Sequence, residues 1–184
     1  MSDTGLPLVL DLFSGTGSAT QPFVECGKHR VVRIDMNPSS PADYHRDLSR
    51  MPRNFAWEDI TQLDPVSFVW ASPPCDDLTD VPWHVDKRVP EDGAWLFRTT
   101  FDHIRYLDPP LFCVENVRGA QRFVGKADYH RGSRYLWTNI PLLPKVRAYG
   151  KWRLPPSADR KILRSMIPAP LAEAVHRAVC GGPS

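Results

Sequence analysis

The chain has 184 residues, 42% of them apolar, which suits one domain with a substantial core and is too little for two. No apolar run is long enough to span a bilayer, and the start Met1-Ser2-Asp3-Thr4-Gly5 lacks the basic region of a secretory signal, so neither a membrane protein nor an exported one is expected and a cytoplasmic setting fits best. The net charge of +2 conceals an asymmetry: residues 1–117 hold ten Lys and Arg against eighteen Asp and Glu, and residues 118–164 hold twelve against two.

In chain order, Leu8 to Leu12 is an apolar run that delivers the turn Ser14-Gly15-Thr16-Gly17-Ser18, the pattern of a buried strand entering a tight turn. A helix from Ala19 to Cys26 should stop at Gly27. Val31 to Asp35 predicts a second strand ending in an acid, and Asp43 to Arg46 a short third one ending at Asp47. Asn54 to Leu63 reads as an amphipathic helix with Phe55, Ile60 and Leu63 inward, and Val66 to Ala71 as a fourth strand buried on both faces. Residues 76–91 are polar and broken by proline, a loop long enough for a lid. Asp92 should cap a helix from Gly93 to Leu107, burying either Leu96, Thr100, Ile104 and Leu107 or Phe97, Phe101 and Ile104. Leu111 to Val117 is a fifth strand containing Glu115, residues 118–157 look irregular, and Pro170 to Val179 is a last helix.

Strands alternating with helices predict an α/β fold with a doubly wound, mostly parallel sheet, in which ligands bind at the carboxyl ends of the strands. The turn from Asp11 to Gly17, then Asp35, Asp47, Cys75 and Glu115, all fall at such ends. The glycines let a ligand approach the backbone closely, and Asp35 can accept hydrogen bonds from ribose hydroxyls. The spacing for a pyrophosphate is missing, since Thr20 stands three after Gly17. A cofactor with a ribose and no pyrophosphate fits better. Ser72-Pro73-Pro74-Cys75 sets a thiol on a stiff turn, where it can add to an electron-poor ring carbon. Glu115, a carboxylate at a neighbouring strand end, is costly unless it is used or paired, with Arg134 as a candidate partner. Cys26, Cys113 and Cys180 read as small buried hydrophobes. The four cysteines form no Cys-x-x-Cys pair, so no metal site and no disulfide framework are expected.

Asp11-Leu12-Phe13-Ser14-Gly15-Thr16-Gly17, Pro74-Cys75 and Glu115-Asn116-Val117, in that order, resemble the three signature motifs of the cytosine-5 DNA methyltransferases. The resemblance runs from Leu8 through Val117. Cys75-Asp76-Asp77-Leu78-Thr79 and the stretch His130 to Pro141 are similar to the de novo subgroup of that family, and Arg164 to Pro168 resembles the late segment that packs on the cofactor. It implies a Rossmann-like class I S-adenosylmethionine-dependent methyltransferase fold, with Cys75 as nucleophile, Glu115 as the acid that pairs with cytosine, and Arg134 beside it. Arg131 is a less secure equivalent, because an extra residue separates it from Arg134. S-adenosylmethionine would be held by Phe13, Ser14, Gly15, Gly17, Asp35, Met36, Pro73 and an acid at the third strand. Asp47 is chosen for that acid because it leaves room for a helix before the fourth strand, although Asp59 looks locally more like the family motif.

Two departures accompany the resemblance. Asp76 stands where the family has a glutamine or asparagine, and its charge should raise the thiol's pKa. Residues 118–157 leave no space for a separate recognition domain, so residues 1–184 make one catalytic domain. That basic segment, with Phe123, Tyr129, Tyr135, Trp137, Tyr149 and Trp152 interleaved, is then expected to face DNA or RNA, with low specificity or with help from a second subunit or partner; the plain alternative is a solvated basic face. Competing readings are an amino-methyltransferase, since Cys75 occupies the aromatic's place in a Ser-Pro-Pro-aromatic pattern, an RNA cytosine-5 methyltransferase, and a binding protein that retained the cofactor fold. A minimal enzyme of this kind would suit a phage or mobile element in a bacterial cell.

Overall fold

β1 (Leu8–Leu12) is buried at every residue, as a strand covered by helices on both faces must be. It is followed by α1 (Gln21–Cys26), β2 (Arg30–Asp35), β3 (Tyr44–His45), α2 (Trp57–Thr61) and β4 (Val66–Ala71). A 3-10 turn at Asp76–Leu78 comes next, and then α3 (Pro90–Leu107) and β5 (Leu111–Asn116). A further 3-10 turn at Arg118–Ala120 leads into α4 (Gln121–Val124), the hairpin of β6 (Tyr129–Arg131) and β7 (Arg134–Thr138), and finally α5 (Ala169–Cys180). The computed structural model describes residues 5–62, 64–78, 90–141, 143 and 166–181.

The seven strands form one sheet in the order β3-β2-β1-β4-β5-β7-β6. All neighbours from β3 to β5 are parallel, while β7 runs antiparallel to both β5 and β6. This is the doubly wound, mostly parallel, Rossmann-like sheet expected from the alternation of strands and helices. The chain leaves β1 for β2 and β3 and then returns to the other side of β1 as β4, so the winding reverses between β1 and β4. A crevice at the carboxyl ends of those two strands is where such sheets take ligands.

Strand alternation divides the core into two clusters. Leu8, Leu10 and Leu12 point to the side holding Trp57, Ile60, Phe97 and Ile104, and Val9 joins Phe68 and Trp70 against Phe23, Leu171 and Val175. At about 1.5–3 kcal/mol for each large apolar side chain removed from water, the central strands supply much of the stability. The buried side of α3 draws on both expected faces: Phe97, Thr100 and Ile104 are buried, while Leu96 and Leu107 of the first face and Phe101 of the second are half-buried. His103 also faces inward: it accepts from Trp57 Nε1 through Nδ1 at 3.2 Å and donates from Nε2 to the Leu48 carbonyl at 3.0 Å.

Several boundaries differ from expectation. β3 has two residues rather than four, so Asp47 lies beyond the strand. The helix expected from Asn54 is split into a 3-10 turn at Pro52–Asn54 and the short α2, because Ala56 takes a left-handed φ of 55°; Leu63 lies outside the described residues. α3 starts at Pro90 and not after Asp92, since proline lacks the N–H that a first helical residue leaves unpaired anyway. Of the expected loop, residues 79–89 lie outside the described residues.

The largest correction concerns residues 118–138, which are not irregular: they complete the sheet. Trp137 is buried, edge-on to Phe97 with ring centroids 4.9 Å apart, and its Nε1 donates to the Gly125 carbonyl at 3.0 Å. Phe123 and Tyr135 pack on one core cluster and Tyr129 on the other. These aromatics therefore serve packing, because the hairpin needs apolar faces to join the sheet; Tyr149 and Trp152 lie outside the described residues. Among the described residues, no helix is long and apolar enough to cross a membrane.

Candidate active site

At the end of β1 the backbone reverses through Phe13 at φ 59°, Gly15 at φ 51° and Gly17 at φ 72°. A Cβ at Gly17 would also stand 2.6 Å from the Arg33 guanidinium carbon. Two backbone bonds pin the turn to its neighbours: Ser14 N–H to the Ile34 carbonyl (3.1 Å) and Ser72 N–H to the Leu12 carbonyl (3.0 Å). Asp35, at the end of β2, closes the other side. Its Oδ2 accepts from Gly15 N–H and its Oδ1 from Asn37 N–H, each at 2.8 Å, so the carboxylate is fixed while keeping lone pairs for a hydroxyl-bearing ligand.

Asp11 is wholly buried under this turn. Thr20 Oγ1 donates to its Oδ2 at 2.6 Å, and burial pushes its pKa up to about 7 against the opposing pull of Thr20 and Arg33. Asp11 Oδ1 and Ser14 Oγ are buried with no hydrogen-bond partner among the described residues. Orphaned buried oxygens cost free energy until something donates to them.

Met36 is 69% exposed and borders a cavity of about 490 Å³ lined also by His45, Asp47, Asn54, Phe55 and Asp59. Asp47 and Asp59, offered by the sequence as alternatives, thus reach the same cavity. Asp47 Oδ1 accepts from Ser49 N–H at 3.0 Å, a bond that holds its pKa below the usual carboxylate value.

β4 ends at Ala71 and the stiff Ser72-Pro73-Pro74 carries the chain to Cys75, which is half-buried. The turn is held by two bonds: Asn116 Nδ2 donates to the Pro73 carbonyl at 2.9 Å, and Leu78 N–H to the Cys75 carbonyl at 3.0 Å. Glu115, 4% exposed, sits at the end of β5 next in the sheet. Arg134 begins β7 just past the Asn116–Tyr135 pair, which brings its Nη1 to 3.1 Å from Glu115 Oε1. Its Nη2 donates to the Met166 carbonyl at 2.9 Å. Trp70 Nε1 donates to Ser72 Oγ at 2.8 Å, and the Ser72 hydroxyl in turn bonds Glu115.

Burial raises the Glu115 pKa, and Arg134 and Ser72 oppose the rise. The Cys75 thiol is pushed up to about 11, first by burial, then by the charges of Glu115 and Asp76, with Arg134 opposing. In the free protein at neutral pH, Cys75 is therefore a thiol and Glu115 holds its proton more readily than an exposed carboxyl. That pairing suits a site where the acid must donate and the thiol ionises only as substrate enters.

Of the sequence-derived candidates, Cys75, Glu115, Arg134 and Pro73 meet at one end of β4, β5 and β7, and Phe13, Ser14, Gly15, Gly17 and Asp35 form the adjoining turn. Ser72 and Asn116 were not assigned roles by sequence reasoning, although a buried asparagine directly after a strand-end acid was a usable signal. Arg131 and Arg134 are the paired residues of the β6–β7 hairpin, with Gly132 at φ 58° between them. The extra residue in the arginine motif is thus the second residue of a two-residue turn. Of the late segment, Ile167 N–H donates to Ser18 Oγ at 2.9 Å, while Arg164 and Ser165 lie outside the described residues.

No protein-family model matches the chain, and no curated protein does. Among solved structures it is similar to a protein described as a DNA modification methyltransferase encoded within a prophage of E. coli, with 19% identity over 61% of this chain and 32% of that one and a TM-score of 0.47. It is also similar to the S. pombe Dnmt2 methyltransferase, with 21% identity over 65% of this chain and 38% of that one and a TM-score of 0.43. The chain spans less than two fifths of the length of either. At these values the likeness says nothing of activity.

Proposed function

We propose that this chain is an S-adenosylmethionine-dependent methyltransferase acting on carbon 5 of cytosine in DNA, through a covalent bond between Cys75 and carbon 6. The observation that carries the reading is the buried Glu115–Arg134 ion pair beside Cys75, since a thiol, an acid that tends to keep its proton and a fixed guanidinium are what the ring requires. The resemblance of the three motifs supports the same assignment.

The turn after β1 fits the cofactor. Asp11 Oδ1 and Ser14 Oγ await donors, Asp35 is immobilised for ribose hydroxyls, and the cavity beside Met36 carries two acids for an amine-bearing ring. Phe13, Gly15, Gly17 and Pro73 would border the cofactor, with Asp47 or Asp59 reaching the adenine. When bound, the cofactor supplies a methyl group on a sulfonium.

Cytosine carbon 5 is a poor nucleophile until a thiolate adds at carbon 6. Cys75 gives its proton to solvent and its thiolate forms the sulfur–carbon bond, while Glu115 donates its proton to N3, so the ring becomes an enamine. Carbon 5 then takes the methyl group. A base removes the carbon 5 proton, the carbon–sulfur bond breaks and the thiolate leaves, with N3 returning its proton to Glu115. Arg134 holds Glu115 in place and faces the ring carbonyl. A stacked base must be flipped out to reach Cys75, and exposed Arg118, Arg122 and Lys126, directly after β5, suit the flanking phosphates.

The decisive assay measures labelled methyl incorporation into duplex DNA, single-stranded DNA and transfer RNA, with Cys75→Ala beside the wild type. Incorporation into DNA that disappears in the variant is expected. Equal incorporation by both proteins overturns the mechanism, and incorporation into transfer RNA alone moves the substrate to RNA.

A further inference from the structure

At the sheet end away from the proposed site, α1 and α5 bring two pairs of residues together. α1 ends at Cys26, turns through Gly27 at φ 65° and presents His29 before entering β2. α5 ends with His176 and Cys180, four residues apart and so on one helical face. Cys26 Sγ lies 3.4 Å from His29 Nδ1, and Cys180 Sγ 3.7 Å from His29 Nε2. Ligand-capable atoms of Cys26, His29 and His176 all fall within 4.8 Å of one another, the one such group of three or more among the described residues. The Phe23 ring meets both imidazoles edge-on, at 5.2 Å from His29 and 4.8 Å from His176, which gives the cluster an apolar wall. His176 Nε2 is buried and has no hydrogen-bond partner among the described residues.

We propose that Cys26, His29, His176 and Cys180 form a tetrahedral zinc site that staples α5 to α1. Zinc bonds of about 2.3 Å to sulfur and 2.0–2.1 Å to nitrogen put neighbouring S and N ligands about 3.6 Å apart, and the two sulfur–nitrogen separations bracket that value. Two thiolates and two imidazoles select zinc over the hard cations. His29 gives the metal one ring nitrogen, so the two sulfurs cannot both keep their present places. Cys180, exposed at the end of its helix, is the ligand whose rotation closes the set. Both thiol protons are released on binding, and Cys26 gives up its bond to the Phe23 carbonyl (3.2 Å). The pairs are Cys-x2-His and His-x3-Cys, with His29 and Cys180 151 positions apart in the chain, a pattern that contains no Cys-x-x-Cys. The staple also bears on the other end of the molecule, because the residues leading into α5 touch Ser18 and Arg134.

The test uses the full chain, reduced, loaded with excess zinc and desalted, and then repeats the titration with cobalt as a spectroscopic probe. About one zinc per chain is expected, with thiolate-to-cobalt charge-transfer bands and the intense visible bands of a tetrahedral site. Cys180→Ser, at an exposed position that leaves the core intact, should weaken cobalt binding roughly tenfold or more and reduce the charge-transfer intensity. His176→Ala should do the same, and Cys75→Ser should leave both readouts unchanged. Less than about 0.2 zinc per chain, an octahedral cobalt spectrum, or metal binding indifferent to both Cys180→Ser and His176→Ala overturns the proposal.

Discussion

β1 and β5 flank β4 and each ends in a carboxylate almost wholly removed from water, yet the two are partnered differently. Asp11 has one hydroxyl from Thr20 and an oxygen to which no group donates among the described residues. Glu115 has a guanidinium and a hydroxyl, and every part of its surroundings is itself held: Arg134 by the Met166 carbonyl, Ser72 by Trp70. Burial raises both pKa values, so burial alone does not separate their jobs. The partners do. A carboxyl braced on several sides can deliver a proton at a fixed point, whereas one with an open valence is suited to receive a ligand's donor.

The sharpest way to break that comparison is Glu115→Gln. Loss of a positioned proton donor should lower methyl transfer about 10²–10⁴-fold. The same change removes the second-largest influence raising the Cys75 pKa and keeps Arg134, which opposes that rise, so alkylation of Cys75 by iodoacetamide should become faster. A variant in which transfer and thiol reactivity fall together would mean that Glu115 only supports the local structure.

Asp11→Asn tests the other acid, through stability. Its folded pKa of about 7 lies above the ordinary aspartate value of 3.8, so the folded state binds a proton the unfolded state has lost, and stability declines as pH rises from about 4 to about 7. Above that window the wild type carries the full cost of a buried charge, at most roughly 4 kcal/mol. Asp11→Asn should therefore flatten the thermal midpoint against pH and raise it at pH 8, while weakening binding of S-adenosylmethionine measured by calorimetry. An unchanged pH dependence would show that Asp11 is not the group responsible.

The same contrast explains what could be read from the sequence. Short-range signals were legible: β4 was bounded correctly because Val66 to Ala71 is an unbroken apolar run before Ser72-Pro73, and the parallel half of the sheet followed from alternation. The hairpin at 129–138 was not, because its strands have only three and five residues and lie among Arg131, Arg134 and other cations, so Trp137 and Tyr135 looked like surface rings. Asp76 and the arginine motif fall between these cases. The insertion beside Arg134 was visible, but only pairing across the turn gives it meaning. Contacts such as Ser72 to Glu115 and Asn116 to Pro73 join residues about forty apart, and no periodicity reports them.

The smallest expected effect concerns Asp76, exposed on the 3-10 turn directly after Cys75. It is the third influence raising the thiol, behind burial and Glu115, and solvent screens it more than it screens Glu115. Asp76→Asn should speed alkylation of Cys75 by about two- to threefold at low salt. The gain should shrink as salt is added, because screening already weakens the charge being removed. In both proteins the rate should climb about tenfold per pH unit below pH 10, since a thiol with a pKa near 11 is still mostly protonated there. If Asp76→Asn instead slowed alkylation, the turn's geometry would matter more than its charge, and the acid beside the nucleophile would be a bracing residue for the thiol's position.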